Sequence, residues 1–311
     1  MFDKYLYALG RGVRGAKQAY DAAAREPDAA DAARDVTPQE VLPRKPLVLG
    51  GRPLVMGIVN VTPDSFSDGG DFLVHDAAIA HGKKLLREGA DILDIGGEST
   101  RPGHAPVSAE EEIARVAPVI HALACATDIP LSIDTMKAKV AEAAIEAGAS
   151  IVNDVFALQQ PGALETVAAS NAGVCLMHSQ GTPQTMQLDP QYQDVVAEVT
   201  DFLRGRLAAA EAHGIAAERV VLDPGFGFGK RSAHNITLLR ELETLHALGR
   251  PLLVGLSRKS VLGQITGSDI DARLSSSIAA AVIAAMKGAK ILRVHDVKAT
   301  VDALKVVDVI Q

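Results

Sequence analysis

The chain has 311 residues, 48% of them hydrophobic, and this length suits either two domains or one α/β barrel of about 250 residues with additions. The formal net charge of -7 gives no reason to expect a nucleic-acid partner, and the longest apolar runs are shorter than the roughly 18 residues of a membrane span. With only Cys125 and Cys175, and no signal peptide, the sequence supports neither a disulfide framework nor a thiolate zinc site and fits a reducing, cytoplasmic compartment.

Residues 1–45 differ in pattern from the rest, and we interpret them as an N-terminal extension ahead of a barrel domain over residues 46–311. Apolar residues recur there at alternating spacings of three and four, with basic residues between them: Leu6, Leu9, Val13, Ala16 and Tyr20. This predicts a basic amphipathic helix, weakened by glycines and followed by a linker. Three roles stay open: a solvated tail, a segment docked on the barrel or a second subunit, or a membrane-surface helix.

From residue 46 the pattern becomes that of strands and helices in alternation. Residues 46–49, the pair Gly50-Gly51 and residues 52–60 predict a β-hairpin leading into a buried strand. Eight strand-like runs end at Asn60, Gly96, Asp134, Asn153 to Asp154, His178, Asp223, Leu256 to Ser257, and Arg293 to His295. Amphipathic segments cover about residues 75–89, 108–126, 136–147, 161–172, 194–213, 234–248, 272–287 and 297–308.

Eight strands alternating with eight helices predict a parallel sheet closed into a (β/α)₈ barrel, the TIM-barrel architecture. An open doubly wound sheet is the alternative. Against it, the first strand-to-helix junction carries Asn-Val-Thr-Pro-Asp in place of a dinucleotide-binding glycine pattern.

The stretch from Arg219 to Lys230 places a carboxylate where a buried strand opens onto a loop. Asp223 ends a β-branched run, and glycines at 225, 227 and 229 would let a ligand approach the main chain closely. A Walker-type phosphate loop is excluded, because Pro224 and Arg231 stand where that pattern needs glycine and a hydroxyl residue. Taken alone, Asp223 could equally cap the following helix.

In a barrel, the residues at the strand ends converge on one pocket: Asn60, Asp134, Asn153, Asp223, Lys259, Arg293 and His295. A structural ion pair that seals the barrel is the alternative interpretation. Carboxylates, an amide and an ammonium suit the edges of a neutral ring such as a pterin or a purine. Arg293 and His295, next to Asn60 in a closed barrel, suit a phosphate with Mg²⁺.

The first two strand-to-helix loops, residues 61–72 and 97–103, are rich in Gly, Ser, Asp and Pro. Such loops after barrel strands are candidate lids. The second loop contains Thr100, Arg101 and Pro102, which offer a hydroxyl, a guanidinium and a flat apolar face.

Seven motifs in this order resemble one known family: MGIVNVTPDSFSDGG (56–70), ADILDIGGESTRPG (90–103), SIDT (132–135), IVND (151–154), LDPGFGFGK (222–230), GLSRKS (255–260) and LRVHD (292–296). From about residue 54 onward the chain is similar to bacterial dihydropteroate synthases. The resemblance implies a transferase of folate biosynthesis that condenses 6-hydroxymethyl-7,8-dihydropterin pyrophosphate with p-aminobenzoate and releases pyrophosphate. The resemblance also implies Mg²⁺ as a cofactor and a homodimer, and it raises the question of whether sulfonamides inhibit the protein.

Carried over position by position, the resemblance assigns the pterin pocket to Asp134, Asn153, Met177, Asp223, Lys259 and Arg293, the last stacking on the ring. The pyrophosphate site falls on Asn60, Arg293 and His295, and Asn60 also binds the metal. Positions around p-aminobenzoate fall on Thr100, Arg101, Pro102, Phe228, Lys259 and Ser260. The implied catalytic residues are Phe66, Asp68, Arg101 and Lys259. If C–O cleavage precedes attack, Asp68 would stabilise a cationic methylene-pterin.

Two features depart from the family. Where the family has Met-His-Met-Gln-Gly-Thr-Pro and a basic residue, the chain has Ser179 in place of the second Met and Gln184 in place of the basic residue. We expect altered loop packing and unaltered chemistry. The N-terminal extension has no counterpart. Two other functions stay in view: a pterin-dependent methyltransferase, and a catalytically silent pterin-binding paralogue that acts through its N-terminal helix.

Overall fold

A computed structural model of the chain describes residues 5–7, 41–62, 71–99, 105–182 and 185–310. Two short strands come first, β1 (Tyr5–Tyr7) and β2 (Leu47–Leu49). Eight further strands follow: β3 (Leu54–Asn60), β4 (Ile92–Gly96), β5 (Leu131–Asp134), β6 (Ile151–Asp154), β7 (Gly173–Met177), β8 (Val220–Asp223), β9 (Leu253–Val254) and β10 (Ile291–Val294).

Helices alternate with these strands, as the sequence predicted, with one additional helix before the last strand and a final helix after it. They are α1 (Asp71–Arg87), α2 (Ala109–Ala126), α3 (Ala138–Glu146), α4 (Ala163–Ala169), α5 (Val195–Ala212), α6 (Ser232–Arg240), α7 (Ser260–Thr266), α8 (Leu274–Met286) and α9 (Val297–Ile310). Short 3₁₀ helices cover Ala217–Arg219, Leu242–Leu248 and Ile270–Ala272. Some helix starts are fixed by side-chain caps: the Asp194 carboxylate before α5 accepts from the N–H groups of Val196 and Ala197 at 3.0 and 3.1 Å.

The sheet is a nearly closed parallel barrel. Its strand order is β8-β7-β6-β5-β4-β3-β10-β9, and every pairing in it is parallel. An isolated parallel bridge between Leu222 and Leu252, with a hydrogen bond from Leu222 N to Pro251 O at 3.0 Å, joins β8 to the residues before β9. The predicted (β/α)₈ barrel is therefore confirmed, and the open sheet is wrong.

The strands are buried on both faces, which is why they read as continuous apolar runs. All five residues of β4 and five of the seven in β3 are buried. One cluster of side chains fills the barrel interior towards the amino-terminal ends of the strands and includes Met56, Ile92 and Ile151. A larger cluster packs the sheet against the helices. The polar residues are left for the opposite, carboxyl-terminal end of the barrel, which we call the mouth.

The N-terminal predictions need two corrections. Leu47–Leu49 pairs antiparallel with Tyr5–Tyr7 and not with β3, so residues 46–60 do not form a hairpin across Gly50-Gly51. Because Tyr5–Tyr7 is a strand, a helix cannot begin at Leu6 as the spacing suggested. A three-residue strand is too short for hydrophobic periodicity to reveal. The remainder of the predicted helix lies outside the described residues.

Smaller differences concern the second half of the barrel. Strand β9 ends at Val254, earlier than predicted, and α7 was not predicted. The helix predicted over 234–248 is α6 followed by the 3₁₀ helix Leu242–Leu248. In the part of the chain that the structure describes, no helix has the length and apolar character needed to cross a membrane.

Candidate functional site

The strand ends bring the predicted polar residues to the mouth, since the carboxyl ends of parallel strands all point one way. The predicted residues described there are Asn60, Asp134, Asn153, Met177, Asp223, Phe228, Lys259, Ser260, Arg293 and His295. Backbone register aligns Gly96 with both Asn60 and Asp134, and Asp134 with Asn153. Side chains from adjacent strands therefore stand at one level of the barrel.

Arg293 is the centre of a buried hydrogen-bonded network. Its Nε donates to Asp94 Oδ2 and its Nη2 donates to Asp134 Oδ2, both at 2.6 Å. Asn153 Nδ2 donates to the same Asp94 oxygen at 3.2 Å. One guanidinium thus holds side chains from β4 and β5 in fixed positions, and the two charge-assisted bonds fix the plane of the guanidinium.

The network has more buried acceptors than the protein uses. Burial raises the pKa of Asp134 to about 7, although Arg293 lowers it, and Asp94 raises it further. Burial lowers the pKa of Arg293, but Asp94 and Asp134 raise it by more, so the guanidinium stays charged. The Oδ1 atoms of Asp94 and Asp134 are buried without a hydrogen-bond partner among the described residues. Both are available to N–H groups of a ligand.

Asp94 is a site residue that the sequence analysis missed. It is the third of five residues in β4 and is completely buried. The analysis searched for polar residues at strand ends, and β4 ends at Gly96. The usable signal was an aspartate inside the apolar run Ile-Leu-Asp-Ile, because a carboxylate is rarely buried in a strand without a partner.

Lys259 interacts with Asp223 and with the glycine loop, our term for residues 224–230. Its Nζ donates to the Phe226 carbonyl and lies 4.5 Å from the centroid of the Phe228 ring. Burial lowers the pKa of Lys259 to about 8, and Asp223 opposes that shift. Burial raises the pKa of Asp223, and Lys259 opposes it. Each charge therefore stabilises the other in a site that disfavours both.

Asp223 does not cap a helix, since α6 begins at Ser232. Its Oδ1 instead accepts from Gly225 N at 2.7 Å and turns the chain into the glycine loop. Gly225 and Gly229 have φ values of 68° and 61°. A Cβ on Gly225 would lie 1.8 Å from the His178 carbonyl oxygen. The close approach that we expected a ligand to make is made there by the protein's own main chain.

His295 and Arg258 link the segments that follow β9 and β10. His295 Nδ1 lies 3.0 Å from Ser257 Oγ, which also accepts from His295 N at 3.2 Å. The next residue, Arg258, pairs with Asp296 through Nε at 3.1 Å and Nη2 at 2.7 Å. Asn60 ends the strand beside β10, so it shares this side of the mouth with Arg293 and His295.

Five predicted residues lie outside the described residues: Phe66, Asp68, Thr100, Arg101 and Pro102. The described chain on either side of 100–104 is joined by one ammonium. Lys137 Nζ donates to Glu98 Oε2 at 2.8 Å, to the Val107 carbonyl at 2.6 Å and to Glu112 Oε2 at 2.6 Å. Both ends of this predicted loop are therefore fixed to the start of α3.

The described residues at the mouth offer a hard cation few protein ligands. Within the described ranges, no group of three or more His, Cys, Asp or Glu side chains could hold a metal ion. Asn60 is half-buried and supplies a carboxamide oxygen, a ligand type that Mg²⁺ accepts. A Mg²⁺ ion with so few protein ligands takes the rest from water and from substrate phosphates.

Comparisons with known proteins agree with this geometry. The family model described as "Pterin binding enzyme" matches residues 56–295. The dihydropteroate synthase of Escherichia coli strain K12 is 52% identical over 256 residues, which are 82% of this chain and 91% of that protein.

Solved structures with the same fold include substrate and drug complexes. One is a Xanthomonas albilineans dihydropteroate synthase with 4-aminobenzoic acid, which is 55% identical with a TM-score of 0.81 and covers 86% of this chain and 95% of that one. Another is a Yersinia pestis dihydropteroate synthase in a sulfonamide drug complex, which is 50% identical with a TM-score of 0.81 and covers 87% of this chain and 99% of that one.

Proposed function

The chain belongs to the dihydropteroate synthases, pterin-binding transferases of folate biosynthesis, and we propose that its mouth residues divide the family's two substrates between two neighbouring subsites. The reaction forms a bond between the methylene carbon of the dihydropterin and the amine of p-aminobenzoate, and pyrophosphate leaves. The arylamine already carries a lone pair, so the chemistry requires no nucleophilic side chain. The free thiol of Cys175 agrees with this, since burial raises its pKa and keeps it protonated.

The pterin ring binds where Asp94, Asp134 and Asn153 meet Asp223 and Lys259. The observation that carries this assignment is the pair of buried Oδ1 atoms on Asp94 and Asp134, for which the described part of the chain supplies no hydrogen-bond partner. A pterin edge presents ring N–H and amino donors, which satisfy such acceptors, and a ring carbonyl, which suits the Lys259 ammonium. The plane of Arg293 is fixed by its two carboxylate bonds, which supports its role as a stacking surface. Met177, buried at the end of β7, adds an apolar contact.

The p-aminobenzoate subsite lies beside the pterin subsite, at Phe228, Lys259 and Ser260. Phe228 offers a ring face, and Ser260 is the first residue of α7. The resemblance adds Thr100, Arg101 and Pro102 from the second loop. Sulfonamides bind the Yersinia pestis relative, and we extend that property to this chain as part of the proposal.

Pyrophosphate binds at Arg293 and His295, with Mg²⁺ held by Asn60. The ion supplies charge neutralisation on the leaving group when it is bound. The residues of the chain orient the anion: His295 is held by Ser257, and Arg293 by its two carboxylates. Asp68, by resemblance, places negative charge near the cationic methylene-pterin, and Phe66 orders the same loop.

We further propose a cytoplasmic homodimer in which residues 46–311 carry the chemistry and residues 1–45 are an added segment. The support for the division is that the family match begins at residue 56. The support for the compartment is that both cysteines are free thiols. The methyltransferase alternative loses ground because the chain is about half identical to dihydropteroate synthases over most of its length.

The test is pyrophosphate release by the purified full-length chain from the dihydropterin pyrophosphate, with and without p-aminobenzoate. We expect release to depend on p-aminobenzoate and to stop when Mg²⁺ is chelated. Asp223→Asn and Lys259→Met should each lower turnover by at least about a hundredfold, because each leaves a buried charge unpaired in the site. Their thermal unfolding transitions should remain cooperative.

Lys287→Met is the matched control, since Lys287 pairs with Glu243 at 3.1 Å on the outer helices and touches no proposed site residue. Normal turnover in Asp223→Asn or Lys259→Met would refute the site assignment. Pterin binding without p-aminobenzoate-dependent release would instead support the silent paralogue.

A further inference from the structure

Lys230, the last residue of the glycine loop, is a buried lysine that the proposed chemistry does not use. Only 3% of it is exposed. Its Nζ lies 2.9 Å from the Gly225 carbonyl oxygen, 3.0 Å from that of Phe228 and 2.8 Å from His178 Nδ1. Burial lowers the pKa of Lys230 well below its ordinary value, and its hydrogen bonds go to neutral acceptors, so its role is better sought in geometry than in stability.

His178 gives the Lys230 side chain a fixed anchor outside the loop. Burial lowers the pKa of His178 to about 3, and Lys230 lowers it as well, so the ring is neutral and its Nδ1 shares a hydrogen bond with Lys230 Nζ. The ring packs edge-on against Phe202 at 4.9 Å and tilted against Tyr192 at 6.1 Å. Lys230 therefore ties the glycine loop to a rigid ring held by α5 and the segment before it.

The hydrogen bonds of Lys230 are part of a continuous set. Each carbonyl oxygen from residue 225 to residue 229 accepts from a side chain; the donors are Lys230 to Gly225, Lys259 to Phe226, Gln187 to Gly227, Lys230 to Phe228 and Tyr192 to Gly229. Lys230 contacts the carbonyls of Gly225 and Phe228, which lie before and after the Phe226 carbonyl that Lys259 contacts. Side chains therefore set the shape of the loop, and Lys230 contributes two of these contacts.

We propose that Lys230 is a positioning residue that fixes the glycine loop so that the Phe228 ring and the Lys259 ammonium stand correctly for p-aminobenzoate. This rests on the proposed assignment of Phe228 and Lys259 to that substrate. Lys259 Nζ lies 4.5 Å from the Phe228 ring centroid, and both are joined to the loop segment between Gly225 and Lys230. A shift of that segment moves both groups at once. The pterin-binding carboxylates Asp94 and Asp134 lie on other strands and keep their places.

The decisive variant is Lys230→Met, which roughly keeps the length of the side chain and removes the amino group that makes these hydrogen bonds. We expect the KM for p-aminobenzoate to rise by about tenfold or more, because small misplacements of substrate-positioning groups are expensive. The affinity for the pterin pyrophosphate, measured by calorimetry without p-aminobenzoate, should fall by a clearly smaller factor, because Lys259 serves both subsites whereas Asp94 and Asp134 keep their places. Lys287→Met, an exchange of the same kind on the outer helices, should leave both values unchanged.

A second variant keeps the inference testable if Lys230→Met does not fold. His178→Phe keeps an aromatic ring against Phe202 and Tyr192 and removes the ring nitrogens, including the Nδ1 that contacts Lys230. It should raise the same KM by a smaller factor, and the double variant should be no worse than Lys230→Met alone, since both act through one contact. A wild-type KM for p-aminobenzoate in either folded variant overturns the inference. A loss of affinity for the pterin pyrophosphate as large as the rise in KM for p-aminobenzoate also overturns it. If the wild-type chain shows no p-aminobenzoate-dependent release, the proposed function fails instead.

Discussion

The single guanidinium of Arg293 cannot neutralise both carboxylates that it contacts. Burial raises the pKa of Asp134 from an ordinary 3.8 in the unfolded chain to about 7 in the folded one, and Asp94 adds to the rise while Arg293 opposes it. The stability that this group contributes is complete below about pH 4 and is lost as the pH rises towards 7, because the unfolded state ionises first. A ligand that donates N–H groups to the carboxylate favours the ionised form.

We accordingly predict that pterin binding releases a proton near pH 6. Affinity should rise between pH 5.5 and 7.5, by at most about tenfold per pH unit, and level off above the pKa of Asp134. Calorimetry in two buffers of different ionisation enthalpy counts the protons. Asp134→Asn should bind more weakly and lose this dependence, and the ligand's own titration cancels in the comparison. An unchanged pH slope in the variant would contradict the assignment of the proton to Asp134.

The same network shows which site residues a sequence can reveal. Asp134 and Asp223 end their strands, so the barrel prediction alone placed them at the mouth. Asp94 stands inside β4, and its role depends on the side of the strand it faces and on a partner from β10, the far end of the chain. Lys230 was visible only as the end of a glycine motif. Its partner His178 lies 52 residues away in sequence.

The segment between β9 and α7 is held in an unfavourable backbone conformation. Arg258 has a φ of 58° in the left-handed region, which costs a non-glycine residue about 1–2 kcal/mol. Its N–H donates to Ser277 Oγ at 2.9 Å, and its carbonyl accepts from Arg273 Nη1 at 3.0 Å. With the Asp296 ion pair, these contacts hold the residue between Ser257 and Lys259. This conformation of Arg258 allows Ser257 to contact His295 while Lys259 contacts the glycine loop.

Substitution at Arg258 should separate strain from side-chain contact. Arg258→Ala loses the ion pair and keeps the strain, whereas Arg258→Gly loses the ion pair and relieves it. We predict that the Gly variant is more stable than the Ala variant by about 1 kcal/mol in urea denaturation. Arg204→Ala and Arg204→Gly, in helix α5, form the control pair and should show the opposite order, since glycine weakens a helix. An Ala variant as stable as the Gly variant would argue against strain.

Elements that take part in the repeated alternation of strand and helix were predictable, and elements outside that alternation were not. The eight barrel strands and their helices follow from alternation of apolar runs and amphipathic segments. Tyr5–Tyr7 has three residues and pairs with Leu47–Leu49 across some forty residues of chain, so no local pattern encodes it. Arg258 adopts its conformation because Ser277, Arg273 and Asp296 surround it, and sequence reasoning does not supply such contacts.

Helix α8 carries an apolar outer face suited to a second copy of the chain. Ser275, Ala279, Ile283 and Met286 recur at spacings of four, four and three and are all exposed, so they form one uncharged stripe. Ile283 is 43% and Met286 58% exposed. An isologous dimer would bury this stripe against itself, and that removes large apolar side chains from water in both copies. This supports the proposed homodimer, and we propose the stripe as its interface.

We predict that the wild-type chain elutes with twice the mass of one chain in light-scattering chromatography, and that Ile283→Glu with Met286→Glu yields the single-chain mass. Two carboxylates facing their symmetry mates would be desolvated beside like charges, a penalty of several kcal/mol per ion. Val309→Glu is the matched control, because Val309 on α9 is 86% exposed and outside the stripe. A wild-type monomer would reject the homodimer. If the double variant remains a dimer, the homodimer stands but its interface does not lie on α8, because the new glutamates would then be exposed to solvent in both copies.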